Sequence, residues 1–164
     1  MNLAGYYKSS GITFDIYGPD GGELEAVKKR IESDDLTGVL TYKGSLPSHR
    51  VQEVLKDIDL VILPSKDEPF PMIILEALAV GTSVLVMPSC GIASELRKFR
   101  NWFVSNTEDL DGLIHSVNEF ISKSTVNDRQ ANREFCRLQF SINHICAQLE
   151  SVYYGSLSKV SGRT

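Results

Sequence analysis

Hydrophobic and polar positions alternate between strand-like and helix-like spacing along most of the chain. Short apolar or alternating runs predict strands at Ile12–Tyr17, Val39–Tyr42, Leu60–Leu63 and Ser83–Met87. Helical spacing predicts helices around them at Asn2–Ser9, Glu23–Ser33, Ser48–Asp57 and Met72–Val80. Strands that alternate with helices are typical of parallel βαβ units, so the pattern predicts an α/β fold.

After the fourth strand the pattern becomes mostly helical. It predicts a short helix at Ser94–Phe99, a last strand at Asn101–Val104, and helices at Glu108–Ser122 and from Asn127 to about Tyr154. Ser141 predicts a break in the final helix, because a serine side chain can cap a new helix start. Ser48 is predicted to cap its helix in the same way. One domain is expected over residues 1–157, followed by a polar, frayed tail at residues 158–164.

The stretch from residue 57 to residue 96 carries the clearest βαβ pattern. The apolar strand Leu60–Leu63 is followed by a loop, and Pro71 suits the first turn of a helix because its missing N–H would have no acceptor there. The helix Met72–Val80 is almost wholly apolar, and Gly81 ends it. A parallel βαβ unit is therefore predicted here.

Two acids stand out in this apolar unit. Glu68 lies at the carboxyl end of a strand, and Glu76 lies in the first turns of the helix that follows. In open α/β sheets ligands bind at that edge, where the N–H groups of a helix start attract phosphate. A phosphate would repel a carboxylate, so these acids are better suited to accept hydrogen bonds from sugar or ribose hydroxyls. The alternative is a solvated loop acid and an ordinary surface Glu.

Composition narrows the classes of partner. The chain has 164 residues, of which 42% are hydrophobic and 23% charged, which fits one globular domain. The net charge of −4, without a run of Lys or Arg, argues against nucleic acid or an anionic membrane surface as the main partner. The sequence shows no apolar stretch of membrane-spanning length and no signal-peptide pattern, so a cytoplasmic location is expected. The three cysteines lack metal-ligand spacing and favour reduced thiols.

The central unit resembles the nucleotide-sugar site of retaining GT-B glycosyltransferases of the group 1, or family 4, type. The resemblance rests on Glu68 and Glu76 with seven residues between them, the Ala-Leu-Ala-Val run before Gly81, and Gly91 and Glu95 after the next strand. It implies a Rossmann-like three-layer α/β/α domain with a parallel sheet, equivalent to the donor-binding, C-terminal half of the family. Pro71, where the family often has glycine, and Cys90, where it has a second glycine, depart from the pattern.

The resemblance also assigns roles to individual residues. Glu68 would be the catalytic residue, in contact with the donor sugar near the reacting carbon, and Glu76 would bind the ribose hydroxyls. The backbone N–H groups around Phe70, Met72 and Ile73 would face the diphosphate. Gly18 would border the donor-binding cleft, and Gly44 and Leu46 would line the pocket of the nucleotide base. Lys66 is the one basic side chain near the site. A plain tight turn at Gly18 and a solvated loop side chain at Lys66 are the alternatives. No metal or cofactor is implied, since the UDP- or GDP-linked sugar is the substrate.

Parts of the family pattern are expected to be missing. The resemblance covers about residues 2–157 and places Met1 after the first strand and the basic pair that neutralises the diphosphate. That strand would lie between Ile12–Tyr17 and Leu60–Leu63, so two exposed sheet edges and possible self-association are expected. Acceptor recognition belongs mostly to the family's N-terminal domain. The chain is therefore expected to be inactive unless that domain is supplied in cis or in trans.

The leading interpretation is the nucleotide-sugar-binding half of an enzyme that transfers a hexose to a hydroxyl, in polysaccharide or glycoconjugate synthesis. A non-catalytic scaffold or partner subunit that keeps the fold is the first alternative, and a nucleotide-sugar epimerase is the second. The base, the sugar and the acceptor stay open at this point.

Overall fold

The computed structural model of the chain describes residues 2–125 and 128–161. In chain order its helices and strands are α1 (Asn2–Tyr6), β1 (Phe14–Tyr17), α2 (Leu24–Ser33), β2 (Leu40–Gly44), α3 (Ser48–Asp57), β3 (Leu60–Leu63), α4 (Met72–Val80), β4 (Ser83–Val86), α5 (Ala93–Phe99), a 3₁₀ helix at Asn101–Phe103, α6 (Leu110–Lys123), α7 (Asp128–Phe140) and α8 (Ile142–Ser161). Strands and helices alternate through β4, which confirms the predicted α/β class. None of the helices in these ranges is long and apolar enough to cross a membrane.

The four strands form two parallel pairs. β1 pairs with β2, and β3 pairs with β4 in a regular register that runs from Leu60 opposite Ser83 to Leu63 opposite Val86. Among the described strands, β1 and β3 share no hydrogen bonds. The resemblance to GT-B glycosyltransferases implies a further strand between β1 and β3, and the two pairs are separate there.

The main core surrounds β4 and α4. All four residues of β4 are buried, and α4 buries Ile74, Ala77 and Leu78 completely. α4 is apolar on nearly every side because it packs on both α3 and α7 as well as on the strands. The C-terminus of α4 is closed by Gly81, whose φ of 99° is the left-handed conformation that glycine adopts without steric cost.

Polar contacts hold α7 against this unit. The side-chain amide of Asn132, which is fully buried, donates to the Gly81 carbonyl at 3.0 Å and to the Ser83 hydroxyl at 3.3 Å. Arg100 and Asp128 form an ion pair at 2.9 Å that joins the end of α5 to the start of α7. The Asn132 bonds fix the amino-terminal end of β4, opposite the edge at which the β3–α4 loop lies.

The predicted strand at Asn101–Val104 is wrong. Residues 101–103 form a 3₁₀ helix, and Val104 alone makes a parallel bridge, to Val86. The chain turns here because Phe103 buries its ring completely in the core and its N–H bonds the Arg100 carbonyl at 3.1 Å. A straight strand would carry that ring away from the cluster around α4.

Two predicted caps have different outcomes. Ser48 is not a cap, since α3 already includes it and begins with Arg50 N–H bonded to the Pro47 carbonyl at 2.9 Å. Ser141 does cap α8, because its hydroxyl accepts the His144 N–H at 3.3 Å. The predicted break between the last two helices is thereby confirmed. The backbone of α8 continues to Ser161, and the last three residues of the predicted tail lie outside the described residues.

Candidate active site at the carboxyl ends of β3 and β4

The strands β3 and β4 run parallel, so the loops that follow them leave the sheet at the same edge. These two loops are bonded to each other. The N–H of Gly91 donates to the Glu68 carbonyl at 2.8 Å, and the N–H of Asp67 donates to the Ser89 hydroxyl at 3.0 Å. The loop that carries Glu68 is therefore held in place by the loop after β4.

Gly91 is required for this contact because of space. A Cβ added at Gly91 would lie 2.0 Å from the carbonyl oxygen of Pro69, much closer than two such atoms can approach. The neighbouring Cys90 is buried, as expected for a packing residue. Burial raises the pKa of the Cys90 thiol, and the charge of Glu68 acts in the same direction. A thiol with a raised pKa stays protonated at neutral pH and is a poor nucleophile.

The start of α4 supplies donors at the same edge. No side chain among the described residues caps this helix, and its first bond runs from the Ile74 N–H to the Pro71 carbonyl at 3.1 Å. The helix itself leaves the N–H groups of Met72 and Ile73 without acceptors. Pro71 has no N–H, so these two are the first donors available to an anion. The side chains of Phe70 and Met72 are more than half exposed beside them.

The two predicted acids lie in the loop at this edge and on the helix that starts from it. Glu68 is half-buried in the loop, and Glu76 is half-buried on α4. In the described part of the chain, neither carboxylate has a hydrogen-bond or ion-pair partner. Both can therefore accept hydrogen bonds from a ligand without first giving up a partner in the protein.

Lys66 contacts an acid that the sequence did not single out. Its ammonium lies 3.8 Å from one carboxylate oxygen of Glu108, while the other oxygen of Glu108 accepts the Ser89 N–H at 3.0 Å. Hydrogen bonding from Ser89 lowers the pKa of Glu108, and the charge of Lys66 adds to the effect. The sequence placed Glu108 in the first turn of a helix, whereas α6 begins later, with Asp109 as its cap. No local sequence pattern predicts the hydrogen bond between Ser89 and Glu108, which are 19 residues apart.

Gly18 and Gly44 meet at the end of the other strand pair. The N–H of Gly18 donates to the Gly44 carbonyl at 3.1 Å, and the Tyr42 hydroxyl donates to the Gly18 carbonyl at 2.8 Å. A Cβ placed on either glycine would meet nothing within 4 Å, so the backbone there is open to a ligand. Leu46, two residues after Gly44, is half-buried. The structure thus joins the two glycines at the carboxyl ends of β1 and β2.

One further feature, a cavity, lies away from the predicted residues. A cavity of about 450 Å³ at the amino-terminal ends of β3 and β4 is lined by Asp59, Ser83, Asp128 and Arg129 and contains none of the predicted site residues. In the described ranges, no group of three His, Cys, Asp or Glu side chains could hold a metal ion. The opposite, carboxyl-terminal edge is the better candidate for a ligand site, because it carries the N–H donors of the α4 start and, within the described part of the chain, Glu68 without a hydrogen-bond or ion-pair partner.

Comparisons with known proteins point to one family. Residues 6–135 match the family described as glycosyl transferases group 1. The alpha-maltose-1-phosphate synthase of Mycolicibacterium smegmatis is 30% identical over 128 residues, which is 71% of this chain and 32% of that protein. A putative colanic acid biosynthesis glycosyltransferase, WcaL of Salmonella typhimurium, is 30% identical over 96 residues, or 55% of this chain and 24% of that protein.

Solved structures show the same fold. The sucrose-phosphate synthase of Thermosynechococcus elongatus superposes with a TM-score of 0.75 at 17% identity, over 96% of this chain and 42% of that one. HepE of Anabaena in complex with UDP superposes with a TM-score of 0.74 at 17% identity, over 93% of this chain and 44% of that one. The chain thus spans about a third of the first relative and less than half of these structures. The chain belongs to the glycosyl transferases group 1 family and corresponds to a C-terminal-like domain of the GT-B fold.

Proposed function

We propose that the chain is the nucleotide-sugar-binding half of a retaining glycosyltransferase that moves a hexose from a UDP- or GDP-sugar to a hydroxyl acceptor. Membership of the family supports a role in glycosyl transfer. The finer proposal depends mainly on one observation: within the described residues, Glu68 and Glu76 have no hydrogen-bond or ion-pair partner, and they lie in the loop after β3 and on the uncapped helix that follows it.

The chemistry of a nucleotide sugar matches this edge group by group. The N–H groups of Met72 and Ile73, at the positive end of the α4 dipole, suit the diphosphate. A carboxylate is the wrong partner for a diphosphate, so Glu76 is assigned to the ribose hydroxyls and Glu68 to the sugar near the reacting carbon. The exposed ring of Phe70 beside the helix start can cover the ligand.

The other strand pair is assigned to the nucleotide base. Gly18 and Gly44 leave open space beside the backbone at the carboxyl ends of β1 and β2, and Leu46 adds an apolar surface nearby. The Anabaena neighbour with the same fold was solved with UDP bound, which supports a nucleotide as the ligand. No metal or cofactor is required in the proposed reaction.

Transfer itself is proposed to need a second domain. Retaining transfer requires the donor carbon and the acceptor hydroxyl to be held at near-attack distance in a cleft shielded from water. This chain spans less than half of the sucrose-phosphate synthase and HepE structures. We infer that it forms only one side of such a cleft. Ile142, Leu149, Tyr153 and Tyr154 on α8 are at least half exposed, as expected of a surface that another domain covers. We therefore propose that the chain is inactive unless an N-terminal GT-B domain is supplied in cis or in trans.

Glu76→Ala tests the assignment of the site. A hydrogen bond to a charged acceptor is typically worth about 1.5–3 kcal/mol, so the variant should bind UDP or GDP roughly ten- to a hundredfold more weakly. Calorimetry of the chain with UDP, GDP and their sugar conjugates measures this. Glu134→Ala, which removes an exposed acid on α7, is the matched control and should bind like the unaltered chain. If Glu76→Ala binds normally, or if the unaltered chain binds none of these ligands, the proposal fails.

A further inference from the structure

Asp67, directly before Glu68, has a backbone conformation that needs support. Its φ of 54° lies in the left-handed region, which residues other than glycine seldom adopt. Such conformations persist where surrounding contacts hold them, and they concentrate at functional sites. The contacts that hold Asp67 therefore also determine where the next residue, Glu68, lies.

Those contacts form a short relay from Glu108 to the Glu68 loop. One carboxylate oxygen of Glu108 accepts the Ser89 N–H at 3.0 Å, and the Ser89 hydroxyl accepts the Asp67 N–H at 3.0 Å. The other oxygen of Glu108 lies 3.8 Å from the ammonium of Lys66, one residue before Asp67. One carboxylate thus joins the loop after β3 to the loop after β4.

Glu108 is held in place independently of the Glu68 loop. The segment before it is fixed to the core, because Val104 bridges to Val86 and the Ser105 N–H donates to the Val86 carbonyl at 2.9 Å. Immediately after it, the Asp109 side chain accepts the Gly112 N–H and caps α6. Glu108 therefore lies between two anchored points and can act as a rigid support for Ser89.

We propose that Ser89 and Glu108 are positioning residues that hold the Glu68 loop in the conformation that receives the donor sugar. This inference rests on the proposed function of Glu68. Neither residue is placed against the ligand; Ser89 acts through the backbone of Asp67, and Glu108 acts through Ser89 and through its ion pair with Lys66. The diphosphate and ribose assignments lie on α4, so loss of the relay should weaken binding of the sugar portion and leave binding of the bare nucleotide unchanged.

Amide hydrogen exchange of the ligand-free chain, followed by NMR, tests the relay directly. Ser89→Ala and Glu108→Ala should each make the Asp67 and Gly91 amides exchange about tenfold faster, while amides within β4 keep their rates. Glu108→Gln keeps an oxygen that can accept from Ser89 and should restore most of the protection. Glu134→Ala is the control for removal of an exposed, ion-paired acid. Unchanged exchange at Asp67 and Gly91 in both alanine variants would overturn the positioning role.

Calorimetry with UDP-glucose and UDP as probes gives the second readout. Ser89→Ala and Glu108→Ala should bind UDP-glucose about tenfold more weakly and UDP as before, and Glu108→Gln should recover most of the difference. Faster exchange with an unchanged UDP-glucose to UDP ratio would overturn the link to the sugar. Absence of binding by the unaltered chain would instead contradict the proposed function, and the exchange experiment, which uses no ligand, would still decide whether the relay holds the loop.

Discussion

The two acids of the site lie eight positions apart but are supported by different parts of the fold. Glu76 lies on α4, which packs Ile74, Ala77 and Leu78 into the core, so its backbone can move only with the helix. Glu68 lies in a loop held by hydrogen bonds from Gly91 to its own carbonyl and from Asp67 to Ser89. The two residues should therefore affect different portions of one ligand, and their substitutions can be distinguished.

Glu68→Ala should discriminate between a nucleotide sugar and the bare nucleotide. The variant loses an acceptor proposed to face the sugar, so we expect UDP-glucose to bind about 1.5–3 kcal/mol more weakly and UDP to bind as before. Competition between the two ligands, measured by calorimetry, gives the ratio. Glu76→Ala serves as the comparison, because it should weaken both ligands alike. An equal loss for both ligands in Glu68→Ala would mean that this acid does not face the sugar.

At the scale of elements, the sequence predicted the central unit best. The observed β3 and α4 begin and end where the pattern placed them, because an apolar run bounded by Pro64, Pro71 and Gly81 is a strong local signal. The predicted strand at residues 101–104 was wrong, because burial of Phe103 against α4 and its neighbours depends on residues distant in sequence. Tertiary packing overrode the local preference there.

The same distinction applies to the site. The motif predicted Glu68, Glu76 and Gly91, and it placed the acids and the helix start on one sheet edge. It did not predict the relay through Ser89 and Glu108, because those contacts join positions 19 and 22 residues apart and depend on how two loops meet. Local patterns carry no information about such a meeting. The roles of the individual residues toward a ligand stay predictions.

Asn132→Ala should loosen α7 from the central unit. The variant loses two buried hydrogen bonds, to the Gly81 carbonyl and the Ser83 hydroxyl. The Asn132 Oδ1 has no partner in the described part of the chain, so its removal offsets some of that loss. We expect a net destabilisation of about 1–2 kcal/mol, seen as a lower urea midpoint with an unchanged slope. Gln130→Ala, on the exposed side of the same helix, should leave the midpoint unchanged; an equal shift in both variants would contradict this account.

At the scale of the whole molecule, the two strand pairs are joined by side chains instead of by hydrogen bonds between strands. Phe14 of β1 and Ile62 of β3 pack against one cluster around Tyr7, Leu85 and Val117. Within the described ranges, the facing edges of β1 and β3 have no strand between them. Exposed strand edges favour pairing with another chain, so self-association stays a prediction for this protein.

The central claim is that the carboxyl edge of β3 and β4, together with the glycines of the other pair, binds a nucleotide sugar. Titration of the ¹⁵N-labelled chain with UDP-glucose, followed by amide chemical shifts, tests it most directly. The account predicts the largest shifts at Met72 and Ile73, in the Glu68 loop, and at Gly18 and Gly44, with small shifts elsewhere. Saturating ligand that leaves these amides unmoved, or that shifts only the opposite edge around Asp59 and Asp128, would contradict it.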